Sequence, residues 1–271
     1  MNTDIITFIV NGLKVDNEEK FSRLSRCMKH LYNQSSNKVK CLVYLSNNEY
    51  FERLNNQFCD ATILVMPTAK SVTNDINCRI NSINSKYLML LNYDDVCSSL
   101  VAEKLNELDC DVVVFGASFL GKDNKFHKIY DENALKKTEN YLKTHLFAAN
   151  LALKTSFLAQ KSIKFLGFSP ERQTLFIDFC FSLADKIQFV QSVELYVPKL
   201  KLAEKFSYDF FYSYRNLIRN TLKNFSKKKN INIKKFIAKK YLKCIFEEIS
   251  NENNLIRKIK LRLIYIMYFY L

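Results

Sequence analysis

The sequence predicts an α/β fold: a mostly parallel, mixed sheet flanked by helices, followed by a basic helical extension. Three observations carry this. From Ile5 to Phe115, short apolar runs alternate with amphipathic stretches, separated by only a few residues. The runs are apolar at consecutive positions, as strands covered on both faces of a sheet are. The third observation is charge. Of 41 Lys+Arg and 27 Asp+Glu, residues 201–271 hold 17 and 5, which leaves the first 200 residues nearly balanced at 24 and 22.

In order, Ile5 to Val10 reads as a strand, and Glu18 to Tyr32 as a helix with Phe21, Leu24, Met28 and Leu31 on one face. Strands follow over Val39 to Leu45, Ala61 to Met66, Tyr87 to Leu91 and Asp111 to Phe115. They are separated by helices over Glu49 to Phe58, Val72 to Ser85 and Ser98 to Leu108. Strand-helix alternation with short connections is the pattern of a sheet with crossover helices. Past Gly116 the rhythm changes. The sequence predicts a strand-like return over Phe126 to Tyr130, a helix near Thr138 to Lys154, a turn over Phe165 to Pro170 and a helix from Arg172 to Ala184. Short strands follow over Ile187 to Val190 and Leu195 to Val197, and basic helices from Lys199 onward. The expected division is a sheet domain over 1–199 and a basic amphipathic extension over 200–271.

Composition excludes several classes. Only 4 Gly occur, and no GxGxxG or P-loop is present, which argues against a Rossmann dinucleotide binder or a P-loop kinase. The 8 Cys stand singly, without CxxC and mostly inside apolar runs, so reduced thiols of a cytosolic protein are expected rather than a disulfide framework or a zinc site. His30, His127 and His145 are isolated and show no metal-ligand spacing. Met1 to Asp4 lacks a basic n-region, so no signal peptide is expected. The apolar run Leu263 to Leu271 is about half the roughly 20 residues a membrane span needs.

Ligands of open sheets sit beyond the carboxyl ends of the strands. Those ends carry Asn11, Ser46-Asn47-Asn48, Pro67-Thr68 and Asn92-Tyr93-Asp94-Asp95. Two adjacent carboxylates at the end of a buried strand repel each other unless a cation or hydrogen-bond donors compensate. Mg²⁺ and Mn²⁺ take oxygen ligands and share carboxylates with substrate phosphates. Equally, Asp94 and Asp95 are suited to cap the following helix.

The stretch Ser85 to Ser118 resembles the corresponding part of family 2 glycosyltransferases of the GT-A fold, in which a strand ends in an Asp-x-Asp-Asp motif and a helix leads to a strand with a DvV.f pattern. A second block, Leu151 to Val197, is similar to the acceptor-side region of the bacterial capsule and lipooligosaccharide transferases of that family. The resemblance covers about residues 4–199. It implies a nucleotide-sugar donor, a divalent metal (Mn²⁺ or Mg²⁺), a glycan or lipid-linked acceptor and inverting transfer. The donor-binding positions it implies are Asn11, Asn47, Asn77, Asn92, Asp94 and Asp95, with Asp94 and Asn92 at the metal. Departures accompany it. Asn92 stands where the family has the first Asp, Ser46 to Asn48 lack a carboxylate, and Ile76 replaces an Arg before Asn77. Counting back from Lys186-Ile187, Gln173 falls on the position of the family's catalytic base. Glu171 and Asp178 are the neighbouring carboxylates that could serve instead, Asp178 only in a helix five residues shorter.

In the basic segment, Ile233, Phe236, Ile237, Tyr241, Ile245 and Phe246 recur mostly at helical spacing, with Lys234, Lys235, Lys239 and Lys243 between them. Arg257, Lys258, Lys260 and Arg262 then precede an aromatic end. Such helices suit an anionic membrane surface, which implies a cytoplasmic protein peripheral to the inner face of the inner membrane. Packing of the same faces on the sheet domain or on a second subunit is the alternative. No nucleic-acid motif is visible. For function, Asn92, Ser46 and Gln173 motivate a second reading, a catalytically degenerate GT-A-like domain acting as a binding or scaffolding partner. A nucleotidyltransferase would want a Gly-rich basic loop, of which Asn11-Gly12-Leu13-Lys14 is a poor version.

Overall fold

A computed structural model describes residues 4–36, 38–46, 48–120, 126–128, 150–197, 207–227 and 231–269. The first four apolar runs become β1 (Asp4–Gly12), β2 (Val39–Leu45), β3 (Thr62–Val65) and β4 (Ser85–Asn92), all parallel. With β5 (Val96–Cys97), β6 (Val112–Leu120), β7 (Phe126–Lys128), β8 (Leu151–Lys154) and β9 (Ile187–Val197) they form a nine-stranded sheet. Its order is β3-β2-β1-β4-β8-β6-β9-β5, with β7 on β6. The chain steps outward from β1 to β3 and returns to β4 on the other side of β1, so the strand order reverses between β1 and β4. That reversal opens a crevice at their carboxyl ends.

Helices cover both faces. α1 (Glu18–Tyr32), α2 (Phe51–Gln57) and α4 (Val101–Glu107) pack on Phe8, Val43, Met89 and Leu91. α3 (Ala69–Arg79), α5 (Thr155–Gln160) and α6 (Pro170–Leu183) pack on Ile9, Leu42, Leu90 and Val112. Asn17 starts α1 by accepting the Lys20 N–H at 3.0 Å. α3 begins before the expected Val72 because Thr68 and Ser71 form a reciprocal capping box. Gly12 ends β1 where a Cβ would lie 2.7 Å from the Tyr44 carbonyl oxygen, so a side chain there would push β1 off β2.

Two expected elements differ. Leu151–Lys154 is not the end of a helix but β8, antiparallel to both β4 and β6. Its Leu-Ala-Leu fills the gap between two strands that both need a partner, and pairing overrides local helix preference. Residues 138–149 of that expected helix lie outside the described residues. The two short strands after Lys186 are one, β9, with a register irregularity opposite Phe115–Gly116.

The basic segment folds into α7 (Tyr208–Lys227), α8 (Ile231–Asn251) and α9 (Leu255–Phe269). Ile237, Tyr241 and Ile245 of α8 are buried in the same cluster as α6. These three members of the face expected on a membrane are therefore taken up by packing, each contributing roughly 2 kcal/mol on burial, while Phe246 is 62% exposed. Among the described residues no helix is long and apolar enough to cross a membrane.

Candidate active site

The register brings three polar side chains into a row across the carboxyl edge. Asn11 lies directly opposite Tyr44 on one side and Asn92 on the other. Its amide donates to Asn92 Oδ1 at 3.5 Å, its own Oδ1 accepts from the Leu13 N–H at 3.3 Å, and its carbonyl accepts from the Tyr93 N–H at 3.1 Å. Tyr44 donates to Asp75 Oδ2 at 2.7 Å, and Arg79 Nε donates to the same oxygen at 2.6 Å. Burial, and then the Asp75 carboxylate, push the Tyr44 phenol well above its ordinary pKa.

Beyond β4 the chain makes a tight turn in which the two aspartates take different roles. Asp95 Oδ2 accepts from the Asn92 backbone N–H at 2.7 Å and its side-chain amide at 3.3 Å, while the Asp95 N–H donates to the Asn92 carbonyl at 3.1 Å. Asp95 thereby closes the turn. Neither residue caps a helix, because α4 starts at Val101 behind Leu100. Asp94 is 9% exposed and has neither hydrogen bond nor ion pair among the described residues. A carboxylate so desolvated and unpartnered is costly by itself and is relieved by a cation or a donor group from outside. Beside it the Tyr93 phenol is raised, by burial first and by Asp94 second.

The donor set limits which metal fits. No group of three His, Cys, Asp or Glu side chains among the described residues is placed to hold an ion. Asn92 Oδ1 faces the Asn11 amide. One open carboxylate suits Mg²⁺ or Mn²⁺ that keeps waters and takes its other ligands from substrate phosphate, rather than an all-protein cage.

The acceptor-side candidates sort by environment. Gly167, with φ of 124°, makes the turn into α6, and a Cβ there would meet Arg172 Cδ at 3.2 Å and Thr73 Oγ1 at 3.4 Å. Since Thr73 lies near the start of α3, just past the carboxyl end of β3, the start of α6 sits at the same edge of the sheet. Glu171 occupies the first turn of α6, partly exposed, with no hydrogen bond or ion pair among the described residues. Gln173 donates its amide to the Phe168 carbonyl at 2.9 Å and so closes the loop. The Ser169 hydroxyl at that helix start is buried without a hydrogen-bond partner among the described residues.

Asp178 is not placed to act as a base. It is 2% exposed, and its Oδ2 accepts from Lys240 Nζ at 2.6 Å and Tyr241 OH at 2.7 Å, both on α8. It faces the packed helices of the extension, not the sheet edge. Asn77 is likewise occupied: its amide donates to the Phe165 carbonyl at 2.9 Å and its oxygen accepts the Phe165 N–H at 2.7 Å. That pair of bonds clasps the loop before α6 to α3 and leaves little of Asn77 for a donor. Asn47 and His145 lie outside the described residues. Sequence reasoning missed the Tyr44–Asp75–Arg79 cluster, although Asp75 and Arg79 stand at helical i,i+4 spacing.

No family model matches the sequence, and no curated protein is significantly similar to it. Solved structures do match. Staphylococcus aureus TarS 1–349 in complex with UDP-GlcNAc superposes with a TM-score of 0.71 at 12% identity, covering 97% of this chain and 81% of that one. The UDP complex of the same protein gives 0.61 at 13% identity, over 80% and 65%. The mannosyltransferase PcManGT from Pyrobaculum calidifontis, in complex with GDP-Man and Mn²⁺, gives 0.53 at 12% identity, over 97% and 77%. The likeness is one of fold: a mixed, GT-A-like sheet flanked by helices, shared with nucleotide-sugar glycosyltransferases.

Proposed function

We propose that the chain transfers a sugar, with inversion, from a nucleotide-sugar donor to a glycan or lipid-linked acceptor in bacterial surface-polysaccharide or lipooligosaccharide synthesis, as a cytoplasmic protein peripheral to the inner membrane. The observation that carries the reading is Asp94, a nine-tenths buried carboxylate without a partner among the described residues, two positions past the Asn11–Asn92 pair where the strand order reverses. Neighbours of the same fold carry UDP-GlcNAc, UDP, or GDP-Man with Mn²⁺.

On this reading Asp94 would hold a divalent ion, with the Asn92 amide oxygen as a secondary ligand, and such an ion would supply positive charge to a diphosphate leaving group. Asp95 contributes by keeping the turn closed, which fixes Asp94. Asn11 and Asn92 orient the donor. Glu171 accepts the proton of the acceptor hydroxyl as its oxygen attacks the anomeric carbon from the face opposite the leaving group.

The competing reading, a non-catalytic binding or scaffolding module, is favoured by Gln173, an amide that takes no proton and is committed to the Phe168 carbonyl. Calorimetric titration with UDP-, GDP-, CMP- and dTDP-sugars, with and without Mn²⁺, separates the two. One donor is expected to bind, to tighten at least roughly tenfold with Mn²⁺, and to lose that gain in Asp94→Asn; Glu171→Gln should keep donor binding and lose transfer. If no nucleotide sugar binds, or if binding is indifferent to Asp94, the transferase reading gives way to the binding module.

A further inference from the structure

We infer that the outward face of α9 is a docking surface for an anionic phospholipid bilayer, with a lipid headgroup phosphate seated in the cleft between α7 and α9. The inference rests on the peripheral-membrane part of the proposed function and not on the donor chemistry. Leu255, Ile256, Ile259 and Leu263 are 70%, 66%, 49% and 61% exposed. At 3.6 residues per turn these four occupy one continuous arc of about 100°, on the side opposite Leu261 and Ile264, which are buried against the neighbouring helices. α9 is therefore apolar on two opposite sides, and only one of them is covered among the described residues.

The charge pattern names the occupant. Lys258 and Arg262 flank the exposed arc on one side and Lys260 on the other, and none of the three has an ion-pair partner among the described residues. α9 carries no acidic residue. A second copy docked face to face would set these cations against each other, and a nucleic acid would leave the four aliphatic side chains in water. A surface that is apolar inside and anionic at its boundary satisfies both groups at once.

Lys260 also lines a cavity of about 230 Å³ with Tyr212, Arg215, Leu263 and Ile264. Its Nζ lies 5.3 Å from the Tyr212 ring centre, and Arg215 Cζ lies 4.5 Å from the same ring. Tyr212 is itself 43% exposed and stacks on Tyr208 at 5.8 Å. Arg215 also donates to the Tyr212 carbonyl, so Lys260, beside an exposed leucine, is the cation offered to a phosphate with an acyl chain attached.

The test is vesicle flotation of the full chain, without nucleotide sugar, on phosphatidylcholine alone and on phosphatidylcholine with about a third phosphatidylglycerol. Binding to the anionic vesicles is expected, weakened about thirtyfold by Lys258→Gln with Arg262→Gln. It should be abolished by Ile259→Asp with Leu263→Asp, and lowered by Lys260→Gln, at unchanged circular dichroism and melting temperature. Wild type that does not float, or an Ile259→Asp/Leu263→Asp variant that floats like wild type, overturns the inference. Light scattering supplies a second arm: a wild-type dimer that this variant converts to monomer gives the face to a second copy instead. Stabilisation by inorganic phosphate that depends on Lys260, without vesicle binding, would assign the cleft to a soluble anion. Because donor titrations are run without vesicles, loss of this inference leaves the transferase reading untouched, and the reverse holds.

Discussion

Asp178→Asn separates a structural carboxylate from a catalytic one. The substitution keeps the shape of the side chain and removes its charge, leaving the Lys240 ammonium, whose side chain is 17% exposed, without its 2.6 Å partner. Removing one member of a buried pair costs about 3–5 kcal/mol. Lys240 is long and not fully enclosed, so it can move its charge toward water, and the lower end, about 3 kcal/mol, is expected. For a domain of this size that corresponds to a fall of roughly 6–12 °C in melting temperature. The assay is calorimetric unfolding beside donor binding and transfer, both measured well below the melting point. Since the carboxylate faces α8, binding and turnover of the folded fraction should stay within about twofold of wild type. Replacing the whole cluster (Asp178→Leu, Lys240→Met, Tyr241→Phe) should recover most of the stability, because no buried polar group is left without a partner. A variant that melts like wild type and loses transfer would refute this reasoning and return Asp178 to the role of base.

Asn77→Ala should cost about 2–3 kcal/mol, since both the Phe165 N–H and carbonyl lose their partner, with donor affinity unchanged by titration calorimetry. Weaker donor binding at an unchanged melting temperature would contradict the clasp. Thiol labelling at pH 8 should modify Cys59 and Cys78, which are exposed, and spare Cys27, Cys97 and Cys180 until the chain unfolds. Burial pushes those three thiols up, and Cys41 to about 12, so below that range they stay protonated and lack the thiolate that reacts. Rapid modification of Cys27 or Cys180 in native protein, located by peptide mapping, would contradict it.

What local sequence determined here is which faces are apolar and where they stop. β1 to β4 were legible because each is centred on an apolar run, buried almost throughout in β1 and β4, and the same reasoning placed Asn11, Asn92, Asp94 and Asp95 at the strand ends. What covers each face was decided by tertiary structure. Leu-Ala-Leu-Lys at 151–154 satisfies helix and strand patterns alike, and only the gap between β4 and β6 chose the strand. Asp94 and Asp95 are chemically identical, and the backbone turn alone distinguishes the one that accepts its N–H from the one left open. Asp178 and its partner Lys240 stand 62 positions apart, Asn77 and Phe165 88 apart. α8 and α9 carry similar mixtures of aliphatic and basic residues, yet packing buried Ile237, Tyr241 and Ile245 of the first, whereas of the second it buried Leu261 and Ile264 and left Leu255, Ile256, Ile259 and Leu263 outward. Hydrophobic periodicity is encoded within a few residues, whereas the identity of a side chain's partner depends on where distant segments meet.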